Sequence, residues 1–262
     1  MAALGLCLGL PFARGAAAAA SFDMNTLFTA SQYGDFARVE SGVPASSGGL
    51  LTRWEGLRAD GNANMRFDFM PYTNAPAVGA YGPNGENCIR FTGTADEYFV
   101  SSADRGGAAN LVIPAGPGAD TADGNGFVAI ARYKMAASGS PQFYINNYYG
   151  WTPFAYQSLQ DITGPIYFKP QGASNALQSN TTVGAWVTVG MRRNKDGTAS
   201  LYVDDGTTAV STTTGLANAS MEQWFAASRS GTAVTDVAGY LYGHVELTDE
   251  QFANAFNWVA GN

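Results

Sequence analysis

The sequence predicts an all-β fold in which two antiparallel sheets stack face to face, followed by one short helix. Three observations predict it. Short runs of β-branched and aromatic residues recur along the chain, roughly a dozen in number, and turns rich in Gly, Asp and Asn separate them. Helical periodicity is confined to the C-terminus, which leaves too few helices to cover an α/β sheet. Hydrophobic residues make up 46% of the 262 residues and charged residues only 13%, so each strand has an apolar face to bury.

The charge of the chain limits its partners. The formal net charge is −7. A nucleic-acid surface needs clustered Lys and Arg that displace counterions, so no nucleic-acid partner is expected. Arg192, Arg193 and Lys195 form a local basic group at a predicted hairpin turn, and we interpret them as part of a solvated loop.

The histidine and cysteine content excludes a zinc site. The chain has one histidine and two cysteines, too few for a His/Cys ligand set. A disulfide between Cys7 and Cys88 would have to tie the N-terminal segment to a strand, and we expect two free thiols instead.

Residues 1–21 are predicted to form an extended N-terminal docking arm. An apolar run precedes small residues, as in a secretory signal, but no Lys or Arg comes before it, and Pro11 and Arg14 interrupt it. The segment is too short to span a bilayer, so no membrane span is expected. We interpret it as an arm ordered against a partner or a neighbouring subunit; the alternatives are an uncleaved leader and an arm folded onto its own domain. The residues assigned to docking are Leu4, Leu6, Leu8, Leu10 and Phe12.

Residues 22–60 are predicted to be a transitional segment between the arm and the β-domain. Ser21 or Asp23 is expected to cap a short helix, because a side-chain oxygen there can accept from the first free backbone N–H groups. Residues 43–49 are expected to form a linker or turn, and residues 50–54 a strand.

Residues 61–262 are predicted to be one β-domain. Its expected strands lie at residues 65–70, 88–91, 97–100, 127–133, 142–149, 165–169, 186–189, 201–203, 223–227 and 238–245. Residues 92–96 are expected to join two of these strands as a hairpin. Asn194 to Gly197 provide another tight turn, because glycine accepts a positive φ, and the turn at 204–206 leads into a further strand.

One C-terminal helix is predicted from its capping pattern. Thr248 with Gln251 three residues later has the spacing of a capping box, and Gly261 is expected to stop the helix. The apolar residues at helical spacing are Phe252, Ala255, Phe256 and Val259.

The second half of the chain resembles the concanavalin A-like or laminin-G-like jelly-roll family. The residues that carry the resemblance are Trp186 with Val189, Asp196 with Gly197, the run LYVDDG at 201–206, the strand GYLY at 239–242 and the helix start LTDEQF at 247–252. The pattern covers about half of the chain. It implies a jelly-roll sandwich, but lectins, glycosidases, adhesion modules and virion proteins all use this fold.

The N-terminal region has a second resemblance. The Leu/Gly-alternating start, the small residues after it and the run FDMNTLF at 22–28 resemble the beginnings of tailed-bacteriophage virion proteins that carry such a domain. This resemblance implies a structural protein that assembles with other virion proteins.

Catalytic arrangements are not expected. A glycosidase needs two carboxylates that flank the scissile bond, and no run of alternating acidic residues supplies them. Glu246, Asp249 and Glu250 are interpreted as the start of the helix. His244 follows no nucleophile elbow and is interpreted as a structural histidine.

Calcium is the one cofactor that the sequence leaves open. Asp120, Asp123 and Asn125 lie in a Gly-rich loop and could supply oxygen ligands, although their spacing is not that of an EF-hand. Aspartate-glycine turns without a metal are the alternative.

An aromatic stretch at 144–156 is the predicted ligand face. Tyrosine and tryptophan rings can stack on sugars, and neighbouring amides can bind hydroxyl groups. The alternative is a core or a subunit interface. The residues assigned to this face are Tyr144, Asn146, Tyr148, Tyr149, Trp151 and Tyr156.

These patterns favour a non-enzymatic virion structural protein of a tailed phage, which acts as a capsid decoration or cement protein or as a tail-fibre or adhesion component. Its expected partners are other virion proteins and further copies of itself, with a trimer as one arrangement, and a host surface glycan is a further candidate. The alternative is a secreted, extracellular carbohydrate-binding module or lectin. A glycoside hydrolase is the least favoured hypothesis.

Overall fold

The computed structural model describes residues 22–29, 32, 34–59, 66, 68–71, 74–92, 94, 97–102, 126–135, 142–146, 156–161, 165–170, 177–180, 184–214, 225–228 and 234–262. The predicted N-terminal arm, with Leu4, Leu6, Leu8, Leu10 and Phe12, lies outside these residues. So does the calcium candidate of Asp120, Asp123 and Asn125.

The described residues are mostly β-strand. A 3₁₀ turn, Met24–Leu27, precedes the strands, with Asp23 as its cap, as predicted. In chain order the strands are β1 (Gly34–Arg38), β2 (Ala45–Ser47), β3 (Leu50–Arg53), β4 (Asp68–Pro71), β5 (Ala77–Ala80), β6 (Asn87–Phe91), β7 (Glu97–Ser102), β8 (Phe127–Met135), β9 (Gln142–Asn146), β10 (Tyr156–Asp161), β11 (Pro165–Pro170), β12 (Leu177–Asn180), β13 (Trp186–Arg193), β14 (Ala199–Val203), β15 (Ser211–Thr213), β16 (Phe225–Ser228) and β17 (Thr235–Gly243). The helix α1 (Asp249–Ala260) follows them.

These strands form two antiparallel sheets. The first sheet has ten strands in the order β15-β14-β13-β8-β17-β6-β5-β3-β2, with β1 paired to β17 beyond the end of β6. The second has seven, in the order β12-β11-β10-β9-β16-β7-β4. The strand β1, which comes from the segment 22–60, is thus part of the first sheet. The predicted antiparallel all-β fold with a short C-terminal helix is confirmed.

The core shows how the layers stack. Along β8, Ala131 and Tyr133 point into a buried cluster that also contains Phe69 of β4 and Leu177 of β12, so the second sheet covers this face of the first. The alternate residues of β8, such as Ile130, join a different buried cluster with α1 and the 3₁₀ turn. Because side chains alternate along a strand, the middle of the first sheet is buried on both faces.

The helix α1 has the predicted caps. The Thr248 hydroxyl accepts from the backbone N–H of Gln251, and the Gln251 side chain accepts from the backbone N–H of Thr248. Gly261 ends the helix with a φ of 80°. No basic residue lies in the last turn of α1, and Arg38 of β1 instead donates to the carbonyl of Trp258 at 2.8 Å.

Gly190 of β13 lets α1 lie close to the first sheet. A Cβ at this position would lie 2.8 Å from Phe252 Cζ and 2.8 Å from Phe256 Cδ2, closer than carbon atoms pack. We expect Gly190→Val to lower the free energy of unfolding by about 1–3 kcal/mol, because the helix must shift to admit the side chain. Urea unfolding of Gly190→Val, Phe256→Leu and the double variant measures this. If the clash with Phe256 is the cause, the double variant loses less than the sum of the two single losses, whereas strictly additive losses would contradict it.

Three sequence-based predictions of local structure were wrong, two of them only in part. Residues 92–96 do not close a hairpin, because β6 lies in the first sheet and β7 in the second, so this connection crosses between the sheets. Residues 43–49 contain the strand β2 and its turn to β3, in which Gly48 and Gly49 both have positive φ. Arg193 does not belong to a solvated loop: it is the last residue of β13 and is buried.

Candidate functional site

One part of the first sheet's outer face, the face that carries α1, is left uncovered by the helix. The helix ends at Gly261, beside Arg132 of β8. Two residues further along β8 on this face, four side chains lie side by side on neighbouring strands. They are consecutive register partners: Arg90 of β6, Asp236 of β17, Lys134 of β8 and Trp186 of β13. Neighbouring strands are about 4.8 Å apart, so these four residues form a row about 14 Å long.

We call this row, together with Tyr81, the outer-face site. Tyr81 lies just after β5, and its ring folds back over Gly79, where a Cβ would lie 2.8 Å from the ring. The guanidinium carbon of Arg90 lies 3.5 Å from the centroid of the Tyr81 ring. Glycine at position 79 therefore allows the tyrosine to pack against the arginine.

Asp236 holds the two cations of the site in place. Its carboxylate is buried and accepts from Arg90 through two bonds, Nε to Oδ1 at 2.6 Å and Nη2 to Oδ2 at 2.9 Å. Lys134 Nζ lies 3.4 Å from Oδ2. The bonds to Asp236 raise the pKa of Arg90 further above its ordinary value, so this side chain stays charged. A two-bond contact of this kind fixes the plane of the guanidinium.

Aromatic rings stand at both ends of the site. Tyr81 covers Arg90 at one end, and Trp186 lies at the other with its ring centroid 5.4 Å from Lys134 Nζ. Both rings are half-buried, so each presents a face or an edge to solvent. Such partly exposed rings beside polar groups are typical of ligand sites.

The outer-face site is rich in hydrogen-bond donors. Arg90 uses Nε and Nη2 for Asp236, and no described residue accepts from its Nη1. Within the described ranges, the indole N–H of Trp186 and the hydroxyl of Tyr81 also make no hydrogen bond to protein. Lys134 has three N–H groups and contacts a single carboxylate. The site can therefore bind a ligand that supplies acceptors.

Cys88 lies beneath this surface but does not act in it. Its thiol is free and buried, and burial raises its pKa to about 12. A thiol with so high a pKa is not a nucleophile near neutral pH. Cys7 lies outside the described residues, so the expectation of two free thiols stays a prediction.

Two buried carboxylates elsewhere in the molecule are bonded to the surrounding chain. Asp35 and Asp68 both lie next to Gly56, and neither is exposed. Asp68 accepts from Arg53 Nε at 2.6 Å and from the Gly56 N–H at 3.1 Å, and Asp35 accepts from the Arg58 N–H at 3.0 Å. Because both carboxylates are shut off from solvent and bonded to the chain, they do not form the open cleft that a glycosidase needs.

The predicted aromatic face lies partly within the described residues. Tyr144 and Asn146 are in β9 and Tyr156 is in β10, adjacent antiparallel strands of the second sheet. Asn146 pairs with Gln157 and with Phe225 of β16. Tyr148, Tyr149 and Trp151 lie outside the described residues, so this face stays a prediction.

The described residues show neither a metal-binding cluster nor a membrane-spanning helix. They contain no group of three or more His, Cys, Asp or Glu side chains placed to hold a metal ion. Among the same residues, no helix has both the length and the apolar character that crossing a bilayer requires.

Sequence reasoning missed the outer-face site. Its strands show a signal, because Arg132 and Lys134 alternate with Ala131, Tyr133 and Met135 in β8. This alternation marks a face that is not apolar. It does not show that residues 81, 90, 186 and 236 come together beside it, since they are brought there by strand pairing.

No protein-family model and no curated protein matches the sequence. Solved structures with a similar fold include the binding domain of Botulinum Neurotoxin DC in complex with SialylT, with a TM-score of 0.55 and 10% sequence identity. The match covers 79% of this chain and 48% of that one. The same toxin domain in complex with rat synaptotagmin II matches with a TM-score of 0.53 at 10% identity, over 79% of this chain and 49% of that one.

A Trypanosoma rangeli sialidase is also similar in structure. Its TM-score is 0.52 at 16% identity, over 88% of this chain and 33% of the sialidase. This chain thus spans about half the length of the toxin binding domains and a third of the sialidase. At these identities the comparisons show the fold alone, and that fold is an all-β sandwich.

Proposed function

We propose that this protein is a non-catalytic binding domain that holds a saccharide on its outer-face site. The observation that carries the proposal is the arrangement of Arg90 and Lys134 between the half-exposed rings of Tyr81 and Trp186. Rings of this kind stack on the apolar faces of sugars, and fixed donors bind their oxygen atoms.

The similar structures support this proposal. They include a toxin binding domain in complex with SialylT and a sialidase. Another is the same toxin domain in complex with rat synaptotagmin II, which makes a protein receptor the alternative class of partner. Absence of catalysis is part of the proposal and rests on the closed surroundings of Asp35 and Asp68.

The virion and extracellular locations remain predictions from the sequence. Residues 1–21 carry the expectation of a docking arm, and they lie outside the described residues. A glycan-binding adhesion component would combine that expectation with the outer-face site. Assembly with other virion proteins and the number of copies are part of the same prediction.

A glycan screen with matched tryptophan variants tests the proposal. We expect the wild-type protein to bind at least one saccharide and Trp186→Leu to weaken that affinity about tenfold, because it removes the stacking surface. Trp258→Leu is the matched control, since Trp258 is also half-buried but lies on α1 against Phe36 and Arg38. Equal affinities of Trp186→Leu and the wild type would rule out the outer-face site, and binding to no saccharide would rule out the function.

A further inference from the structure

We infer that the ligand of the outer-face site is an anionic saccharide, one that carries a carboxylate or a sulfate group. The inference rests on the proposed function and adds the chemical class of the ligand. It follows from two independent properties of the site, its charge and its set of unused hydrogen-bonding groups.

The first property is a local excess of positive charge. The site itself contains two cations, Arg90 and Lys134, against the single carboxylate of Asp236. At its border Arg132 pairs with Glu40, and the carboxylate of Glu86 also acts on Arg132, so the border adds no positive charge. The excess of one positive charge is thus confined to the site, in a chain whose formal net charge is −7. Asp236 is shared by two cations, so neither of them has a carboxylate of its own.

The second property is that the described side chains of the site offer a ligand almost only donors. Its one carboxylate, Asp236, is buried and already contacts Arg90 twice and Lys134 once. The groups left for a ligand are the N–H donors of Arg90, Lys134 and Trp186 and the hydroxyl of Tyr81. Of these, only the Tyr81 hydroxyl could also accept a hydrogen bond. Sugar hydroxyls both donate and accept, so a neutral saccharide would use only its acceptors in the site, and most of its own donors would bond to water instead. A carboxylate or sulfate group only accepts, and it matches this set.

Lys134 is the residue that can be changed with least damage to the fold. Its side chain is about a third exposed (31%), and Asp236 keeps both bonds to Arg90 when Lys134 is replaced. Lys195 offers a matched control: it carries the same charge and pairs with Glu246. It follows the far end of β13, more than about 20 Å from the site by strand length.

Isothermal titration with three related sugars tests the inference. The probes are lactose, sialyllactose with a carboxylate, and sulfolactose with a sulfate ester. We expect at least one anionic probe to bind about tenfold more tightly than lactose, and Lys134→Met to remove that advantage. Lys195→Met should leave it unchanged, and Lys134→Arg should keep most of it. The relative affinities of the two anionic probes show which group is preferred.

Each outcome of the titration has a defined meaning. An advantage that is lost in Lys134→Met and kept in Lys134→Arg supports the inference. Equal binding of lactose and the anionic probes, or an advantage that survives Lys134→Met, overturns it and leaves the proposed saccharide function standing. If these probes and the glycan screen both show no binding, the proposed function falls as well. Thermal unfolding of Lys134→Met checks that it is folded, and Lys134→Arg keeps the test decisive if it is not.

Discussion

Replacing Arg58 with methionine is expected to lower the free energy of unfolding by about 3–5 kcal/mol. The Arg58 side chain is fully buried, and its Nη1 donates to the carbonyls of Gln32 at 2.7 Å and Gly34 at 3.1 Å. Its Nη2 donates to the carbonyl of Thr29 at 2.8 Å. Methionine has similar length but no donor, so three carbonyls would lose these bonds together.

Arg58 also positions the segment before β1. Its guanidinium lies over the ring of Phe28, 4.8 Å from the centroid, and Phe28 belongs to the cluster under α1. Loss of Arg58 should therefore loosen the 3₁₀ turn, Met24–Leu27, along with the sheet. Hydrogen exchange at these residues is the local measurement, and urea unfolding is the global one.

The control for Arg58 is Arg192→Met. Arg192 packs on the rings of Tyr202 and Phe252, but its ion-pair partner, Asp249, is exposed. Pairs with an exposed partner contribute about 0–1 kcal/mol, and methionine keeps the apolar stem. A loss in Arg58→Met no larger than in Arg192→Met would show that the buried donors do not stabilise the fold.

Lowering the pH from about 7 to about 5 is expected to cost about 2 kcal/mol of stability through His244 alone. His244 is buried, and its Nε2 lies 2.6 Å from the hydroxyl of Tyr242. Burial lowers the pKa of His244 from 6.5 to about 4. The unfolded chain therefore takes up a proton before the folded protein does.

The direction of this effect follows from the depressed pKa. The contribution of His244 is fully present above about pH 6.5, decreases as the pH falls, and is lost by about pH 4, for a total on the order of 3 kcal/mol. Because the chain has one histidine, no second imidazole contributes to the slope between about pH 7 and pH 5. Urea unfolding at several pH values measures the slope.

The matched variant for this prediction is His244→Gln. Glutamine can still bond to Tyr242 but does not titrate, so its stability should be nearly flat over the same pH range. A slope that is equal in the wild type and in His244→Gln would assign the effect to other groups. The prediction that His244 has a structural role agrees with its burial and its hydroxyl partner.

Features encoded within a few residues of each other were predictable from the sequence. The caps and buried face of α1 match their prediction residue by residue, because Thr248, Gln251 and Gly261 act on the helix that contains or adjoins them. The hairpin of β13 and β14 was also predicted, and Gly197 has the expected positive φ of 85°. Both signals are local, so no distant strand was needed to find them.

Pairing between distant strands was not predictable in this way. β17 pairs with β8 along its length, and with β6 and then β1 on its other side. The change of neighbour occurs where the register with β8 shifts, between Val237 and Gly239. No local pattern marks such a bulge. For the same reason the sequence predicts a hairpin at residues 92–96, although this connection joins two sheets.

The outer-face site shows most clearly that contacts between distant strands cannot be predicted from local sequence patterns. Each of its five residues has an ordinary local interpretation, such as a turn tyrosine at Tyr81 or a buried acid at Asp236. They form a site because four strands place their register partners on one rung. The sequence predicts a ligand face at 144–156 because the aromatic residues there are continuous in sequence. The residues of a site built across a sheet are not continuous in sequence.

The most direct test of the outer-face site is to map saccharide contacts by NMR. Sialyllactose would be titrated into ¹⁵N-labelled protein, with Trp186→Phe used to assign the Trp186 indole signal. We predict that the backbone amides of Arg90, Lys134 and Asp236 and the indole N–H of Trp186 shift with one common affinity. Shifts confined to β9, β10 and β11, with the outer-face signals unchanged, would contradict the account and move the ligand to the second sheet.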